Sequence, residues 1–364
     1  MKIVIAPDSF KGSASSSEIG RWIASGIHSV IPNCETVTIA IGDGGEGSLD
    51  SVLQSGFTAI ECEVLGPVDN PVRAKFGLRD KTALIEMAQA SGLAQLPGGR
   101  KSALSASTYG TGQLMKAALD NHATEIILAI GGSATTDAGA GALQALGARL
   151  RDASGNEIAR GGAALGNCAE IDISNLDPRL AGVNFIVASD VTNPLLGDNG
   201  AARVFAPQKG ATPEDVETLE KSLAHFASLI GADFADLPGA GAAGGFGYMA
   251  MALLNAQQRS GIDLILDLVN FDAQCAGADY IVTGEGRFDS QSLQGKAPWG
   301  ILQRAQSRSI PTYLICGDAD THQSGDFAAV LTLTSLEPDR EKCIENPEPL
   351  VTHLGAKLAE ELIN

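Results

Sequence analysis

The sequence has no close-set cysteine pair. Its six cysteines (Cys34, Cys62, Cys168, Cys275, Cys316 and Cys343) form no CxxC and no zinc spacing, so a zinc module is excluded. Buried, reduced thiols in a cytosolic protein are expected instead. The five histidines (His28, His122, His225, His322 and His353) are scattered without ligand spacing and read as surface or helix-end residues. The chain lacks the GxxxxGK[ST] phosphate loop, the HRD and DFG signatures of protein kinases, the HExxH zinc motif and the GxSxG nucleophile elbow. No apolar run approaches the ~20 residues of a membrane span, and the opening MKIVIAPDSFK is too short an apolar stretch for a signal peptide, so a cytoplasmic location is expected. Positive charge is also scarce. Lys and Arg number 25 against 43 Asp and Glu, a formal net charge of −18. That balance argues against nucleic acid or an anionic membrane as partner. An acidic protein that takes anionic substrates must concentrate its few bases. Lys11, Arg203, Lys209, Arg287 and Lys296 all lie in or beside glycine-rich loops.

Glycine is abundant, with 43 in 364 residues, and it clusters after apolar runs without a collagen-like period. The pattern of apolar strand, glycine loop and acid recurs at residues 39–46, 126–137, 185–190 and 280–299. In the last of these, Gly284 and Gly286 read as a turn that ends a short strand, with Arg287, Asp289 and Lys296 in the polar loop beyond. Glycines admit backbone N–H groups to an anion, acids hold a divalent metal, and lysine reaches a phosphate. Four such loops suggest a phosphate and metal site built from converging segments.

The length suits two domains with sizeable cores. Residues 3–6 read as a strand, and Ser15 with Glu18 has capping-box spacing before a helical apolar period. Further strands are expected at 37–41 and 58–64, and a hairpin at 72–78 and 83–86 turns at residues 79–81. Strands at 126–130, 185–188, 281–283, 312–316 and 329–333 follow, with helices at 213–230, 246–254 and 350–362. The expected fold is α/β. A Rossmann-like doubly wound domain is formed by both chain ends (1–66 and 288–364), a second α/β domain is inserted at 67–287, and the active site lies in the interdomain cleft.

Several motifs leave two readings open. Residues 239–244, GAGAAG, match the GxGxxG dinucleotide fingerprint with Asp263 about twenty residues on. No strand precedes them, so a packing turn is the better reading. Residues 131–137, GGSATTD, stand before a small-residue helix and offer N–H donors at a helix N-terminus, or a tight turn for close packing. Asp190 at a strand end is either a base or metal ligand, or a turn-capping residue, and Asp8 and Asp43 share that ambiguity.

Six segments in order, MKIVIAPDSFKGS (1–13), IGDGGEG (41–47), IGGSATTDAGAGALQALGA (130–148), VASDVTNPLLGDNGA (187–201), PGAGAAGG (238–245) and TGEGRFDSQSLQGKAP (283–298), resemble the bacterial type I glycerate kinases over essentially the whole chain. The match is weaker at 316–320 and 338–340. The resemblance implies ATP- and Mg²⁺-dependent phosphorylation of D-glycerate to 2-phosphoglycerate by a monomer or homodimer serving glyoxylate, glucarate or galactarate breakdown. It implies Asp190 as base, with Lys11, Arg287 and Lys296 neutralising phosphate or carboxylate charge. Asp8, Ser9, Asn193 and Arg203 are expected to bind substrate. Gly131, Gly132, Ser133, Thr135, Gly284 and Gly286 are expected to contact nucleotide or phosphate, and Asp43, Glu46 and Asp289 to hold magnesium. An NAD-dependent dehydrogenase of a small hydroxy acid and a non-catalytic sugar-acid binding protein are the alternatives.

Overall fold

The computed structural model describes residues 1–99, 101–290, 292, 295–320 and 326–363. His322, and Gln291, Leu293 and Gln294 of the 283–298 segment, lie outside the described residues. The chain begins with β1 (Lys2–Pro7), α1 (Ser16–Val30), β2 (Glu35–Thr38), α2 (Ser48–Leu53), β3 (Thr58–Leu65), β4 (Pro71–Arg79), β5 (Thr82–Glu86), α3 (Ala88–Ser91) and α4 (Tyr109–Asp120). It continues with β6 (Glu125–Ala129), α5 (Ala140–Ala145), β7 (Arg149–Arg151), β8 (Glu170–Asp172), β9 (Asn184–Ala188), α6 (Ala201–Phe205), α7 (Pro213–Ile230), α8 (Ala242–Leu254) and β10 (Gln257–Arg259). The last elements are α9 (Gly261–Leu268), α10 (Phe271–Gln274), β11 (Tyr280–Phe288), α11 (Ala297–Gln306), β12 (Thr312–Ala319), β13 (Ala329–Thr332), α12 (Arg340–Glu345) and α13 (Pro347–Ile363).

Two compact units divide the chain. The first comprises Met1–Asp43, Asp50–Gly56 and Gly261–Asn364. Its five strands are all parallel, in the order β13-β12-β11-β1-β2. Numbered within the unit this is 2-1-3-4-5, a doubly wound order that reverses between β1 and β11, where ligands of such sheets bind beyond the strand ends. A central parallel strand is covered on both faces and must be apolar throughout, and Ile3, Val4 and Ile5 are fully buried. Each such side chain contributes about 1.5–3 kcal/mol relative to an exposed one. Helix α1 starts at the Ser15–Glu18 capping box and packs on α13 through glycine. A Cβ on Gly26 would lie 2.1 Å from the Thr352 carbonyl oxygen, and one on Gly355 2.6 Å from that of Ile23.

The second unit comprises Gly44–Leu49 and Phe57–Ser260. Its sheet runs β10-β9-β6-β5-β4-β3, with β10, β9, β6 and β5 parallel and β4 and β3 antiparallel. Three expectations change here. Residues 58–64 are not a third strand of the first sheet: β3 pairs antiparallel with β4 along its full length, Thr58 opposite Leu78 and Leu65 opposite Pro71. The division therefore falls after residue 56 and not at 66. Strand β11 sits between β1 and β12, so the return to the first unit falls at residue 261 and not at 288. Finally, residues 284–288 continue β11 in register with β12, Gly284 opposite Ile315 and Phe288 opposite Ala319, so no glycine turn ends that strand. Glycine is needed there for close approach, since a Cβ on Gly284 would stand 2.3 Å from the Ile315 carbonyl oxygen. No helix among the described residues is long and apolar enough to cross a membrane. All six cysteines are unpaired and five are buried.

Candidate active site

In the first unit, a cleft of about 290 Å³ opens where the strand order reverses. Asp8, Ser9 and Lys11 line it from the end of β1, Glu285, Gly286 and Arg287 from β11, and Lys296 from the start of α11. Asp8 is 3% exposed. Its backbone N–H donates to the Gly284 carbonyl at 2.7 Å, and its Oδ1 accepts the Ser9 N–H at 2.6 Å. Burial, followed by the nearby Asp43 charge, pushes its carboxyl up to about 8, against the pull of Lys11. Lys11 Nζ stands 4.0 Å from Asp43 Oδ2 at the mouth. Arg287 Nε stands 3.5 Å from Asp289 Oδ2, with most of the guanidinium side chain exposed.

Glu285 was not among the residues expected in the site. Its buried side chain holds Lys296, with Nζ 3.3 Å from Oε2, while Oε1 has no protein partner. Burial raises this carboxyl, and Ser292 and Lys296 pull it back. Recognising it requires that β11 continue past Gly284, which its glycine-rich sequence conceals. Lys296 occupies the N-cap position of α11, with Pro298 following in its first turn. The weakly matching segments 316–320 and 338–340 meet in this unit through an ion pair between Arg340 and Asp318.

The second unit carries its own cluster at the carboxyl ends of β6 and β9, which run side by side with Ala129 opposite Ala188. Loop 131–136 follows one strand and Asp190 the other. The Gln258 amide donates to the carbonyls of Ser189 and Val191, each at 3.0 Å, and so fixes the backbone on both sides of Asp190. Gly131 and Gly132 reach the surface, and Ser133 is 7% exposed. Thr135 has no exposed surface, so it stands behind the loop.

The expected anion site at the start of α5 is closed by the protein itself. Asp137 Oδ1 accepts the Gly139 N–H and Oδ2 the Gly141 N–H, each at 3.2 Å, and Thr108 Oγ1 takes the Ala142 N–H at 3.0 Å. Asp137 also receives the Thr108 N–H and hydroxyl, at 2.8 and 2.9 Å. Its four donors explain how a carboxylate is tolerated with no exposure at all. Arg203 is likewise occupied, with Nη1 2.7 Å from Glu217 Oε1. The Asn193 amide donates to the Asn199 carbonyl at 2.8 Å. Residues 239–244 do not follow a strand, since β9 ends at 188. A Cβ on Gly241 would lie 2.2 Å from the Pro194 carbonyl and one on Gly244 2.1 Å from that of Thr135, so these glycines serve packing, and the dinucleotide reading fails.

Among the described residues no group of three or more His, Cys, Asp or Glu side chains can hold a metal ion, so Asp43, Glu46 and Asp289 do not form a protein cage. Glu46 is exposed on the 44–49 segment of the second unit. Mg²⁺ needs no such cage, since it keeps waters and binds through one or two carboxylates plus substrate phosphates. The orphaned Glu285 Oε1 and the mutual repulsion of Asp8, Asp43 and Glu285 fit a cation brought in with a phosphate.

Comparison with known proteins gives the family. The model of the glycerate kinase family matches residues 3–363. The chain is 47% identical over 324 residues to a glycerate kinase of Bacillus subtilis strain 168, covering 87% of this chain and 85% of that protein. It is 44% identical over 348 residues to a glycerate 2-kinase of Escherichia coli K12, covering 92% and 91%. A crystal structure provisionally named glycerate kinase 2, from Salmonella typhimurium LT2, superposes with a TM-score of 0.85 at 42% identity, over 100% of this chain and 98% of that one. With residues 3–363 matched by the family model and relatives at 44–47% identity over most of both chains, the chain belongs to the glycerate kinase family.

Proposed function

We propose that the protein transfers the γ-phosphoryl group of ATP to the 2-hydroxyl of D-glycerate, giving 2-phosphoglycerate and ADP. Its membership of the glycerate kinase family supports the reaction class. The observation that carries the assignment of residues is the cleft at the β1/β11 reversal, where Lys11, Arg287 and Lys296 line a pocket together with Asp8 and Glu285. Phosphoryl transfer asks little covalent work of a protein, so positioning and charge neutralisation dominate. Lys11 and Lys296 neutralise the phosphate, and Glu285 keeps Lys296 aimed. Arg287 clamps a carboxylate or phosphate oxygen in bidentate fashion. Asp8 and Ser9 shape the floor that meets glycerate.

Asp190, in the second unit, accepts the proton of the attacking hydroxyl as the new O–P bond forms and the bond to the bridging oxygen of ATP breaks. Gly131, Gly132 and Ser133 offer donors to phosphate. Arg203, Asn193 and Thr135 have no part in this assignment, being engaged or buried as described. Mg²⁺ would be held by Asp43 and Asp289 through water and phosphate, and would supply charge neutralisation on the triphosphate. A cytoplasmic location, where ATP is available, is part of the same reading.

A coupled assay with D-glycerate, ATP and Mg²⁺ tests the reaction, and phosphorus NMR of the product tests the position. An ester at the 2-hydroxyl couples to one proton, whereas a 3-ester couples to two. Asp190→Asn should melt as the parent does and lose roughly 10²–10⁴ in turnover. Near-normal turnover removes Asp190 from the role of base.

A further inference from the structure

Lys209 ends the short 3₁₀ turn Pro207–Lys209 and is 2% exposed. A buried ammonium is costly unless its donors are used. Two are: Nζ donates to Ser133 Oγ at 3.0 Å and to the Thr135 carbonyl at 2.5 Å. Both partners belong to the loop after β6. The same loop is gripped from the other side by Ala243–Gly244–Gly245, three consecutive residues at positive φ (52°, 67° and 91°), and a Cβ on Gly244 would collide with the Thr135 carbonyl. Behind it, the hydroxyls of Thr135 and Thr136 are buried without partners. Gly244 and Gly245 adopt positive φ without strain, so the local cost lies in Ala243 and in the two orphaned hydroxyls of the loop, and such cost is frequent at functional surfaces.

The hydrogen-bond direction has a consequence. Lysine ammonium only donates, so Ser133 Oγ must accept from Lys209. Its own hydrogen is then directed elsewhere. We propose that Lys209 is a positioning residue for phosphotransfer, acting through Ser133: it turns the Ser133 hydroxyl into a fixed donor for a phosphate oxygen and backs the 131–133 loop with positive charge. This rests on the reading of that loop as phosphate-binding. The charged group acting on Lys209 is Asp137, on the continuation of the same loop. From the neighbouring α6 and α7, Arg203 and Glu217 pair with each other near the surface. Burial lowers the Lys209 ammonium to about 7, against the pull of Asp137, so it loses its proton near neutral pH.

The test uses the full-length protein and two probes, ADP and 2-phosphoglycerate, with dissociation constants measured by calorimetry from pH 6 to 8.5. Lys209→Met keeps most of the length of the side chain and removes the buried charge; it also takes a donor from Ser133 and Thr135 and a nearby cation from Asp137, so the variant's melting is measured first. At pH 6.5 it should weaken one of the two ligands roughly ten- to a hundredfold. That deficit should narrow as pH rises past 7, where the parent itself loses the charge. A deficit equal at every pH, or none for either ligand, overturns the proposal, because a purely structural loss would not track Lys209 protonation. Ser133→Ala separates the two readings. If it binds both ligands as the parent does, the loop does not bind phosphate and that part of the functional reading fails. If it weakens binding while Lys209→Met does not, only the Lys209 role fails. Should Lys209→Met not fold, proton uptake on binding decides: the parent takes up protons near pH 7.5, and uptake equal to that of Ser133→Ala overturns the proposal.

Discussion

Asp8 is held in an environment that favours its neutral form, and this sets a pH dependence whose sign can be worked out. Its carboxyl titrates from 3.8 in the unfolded chain to about 8 in the fold, because it is buried beside Asp43 and Glu285. Between those values the folded state holds a proton that the unfolded state has released. The contribution of Asp8 to stability therefore falls as pH rises from about 4 to about 8 and is constant above that. Asp8→Asn keeps the acceptor for the Ser9 N–H and removes the charge. Urea titrations in chelator, without ligand, should show the variant more stable than the parent by roughly 2–5 kcal/mol at pH 8 and closely matched at pH 4. A difference that does not change with pH would refute this assignment. Asp8 was legible as a strand-end acid, because a short apolar run followed by Pro-Asp marks its own boundary. Glu285 was not legible, because its burial depends on a strand continuing through two glycines. Asp137 was visible as an acid near a helix start, but only the fold reveals that it caps that helix and thereby closes it to substrate.

Strand β11 shows how an element can be misread from its glycines and still place the right residues. Gly284 is there to let β12 approach: its φ is unexceptional, and the obstacle to a side chain is the Ile315 carbonyl 2.3 Å away. Gly284→Ala must push β11 and β12 apart and drag Glu285 and Arg287 with them. The expected cost is about 1–3 kcal/mol, or several degrees of melting temperature, with a raised KM for the substrates. Gly182→Ala, where nothing lies within 4 Å of the added carbon, should leave both unchanged and serves as the control. Equal effects of the two substitutions would show that β11 tolerates the separation. Elements with strong periodicity and clear ends were readable throughout. Helix α7 occupies Pro213–Ile230 as its Thr212–Asp215 capping box and Pro213 dictate. The hairpin of β4 and β5 falls where alternation and the 79–81 turn require. What local pattern could not supply was the pairing of β3, since an alternating strand carries no label for the sheet it joins.

The division of the chain into two units, each with its own core, has a consequence for the molecule as a whole. The second unit is almost continuous in sequence, missing only Gly44–Leu49 from the stretch Phe57–Ser260. Those six residues bond to it through, among others, two backbone groups: the Leu49 N–H donates to buried Glu86 Oε2 at 3.0 Å, and the Gly44 carbonyl accepts the Gly131 N–H at 3.4 Å. A fragment of residues 57–260 should therefore fold cooperatively, with the six-stranded sheet intact. It should be weakened at Glu86 among other points, because Glu86, at the end of β5, loses a donor while 2% exposed. Glu86→Gln in the fragment replaces a buried charge that has lost the Leu49 N–H by a neutral acceptor and should recover roughly 1–3 kcal/mol, whereas the same change in the full chain should cost stability because the Leu49 N–H then faces a neutral amide. The opposite signs of these two effects, read from urea unfolding, form the test. A fragment that does not melt cooperatively in either form would mean that its core is not sufficient. The same sign in both contexts would mean that the 44–49 segment does not act through Glu86. A folded fragment that still binds 2-phosphoglycerate or ADP would in addition assign that ligand to the loops after β6 and β9, independently of any residue in the first unit.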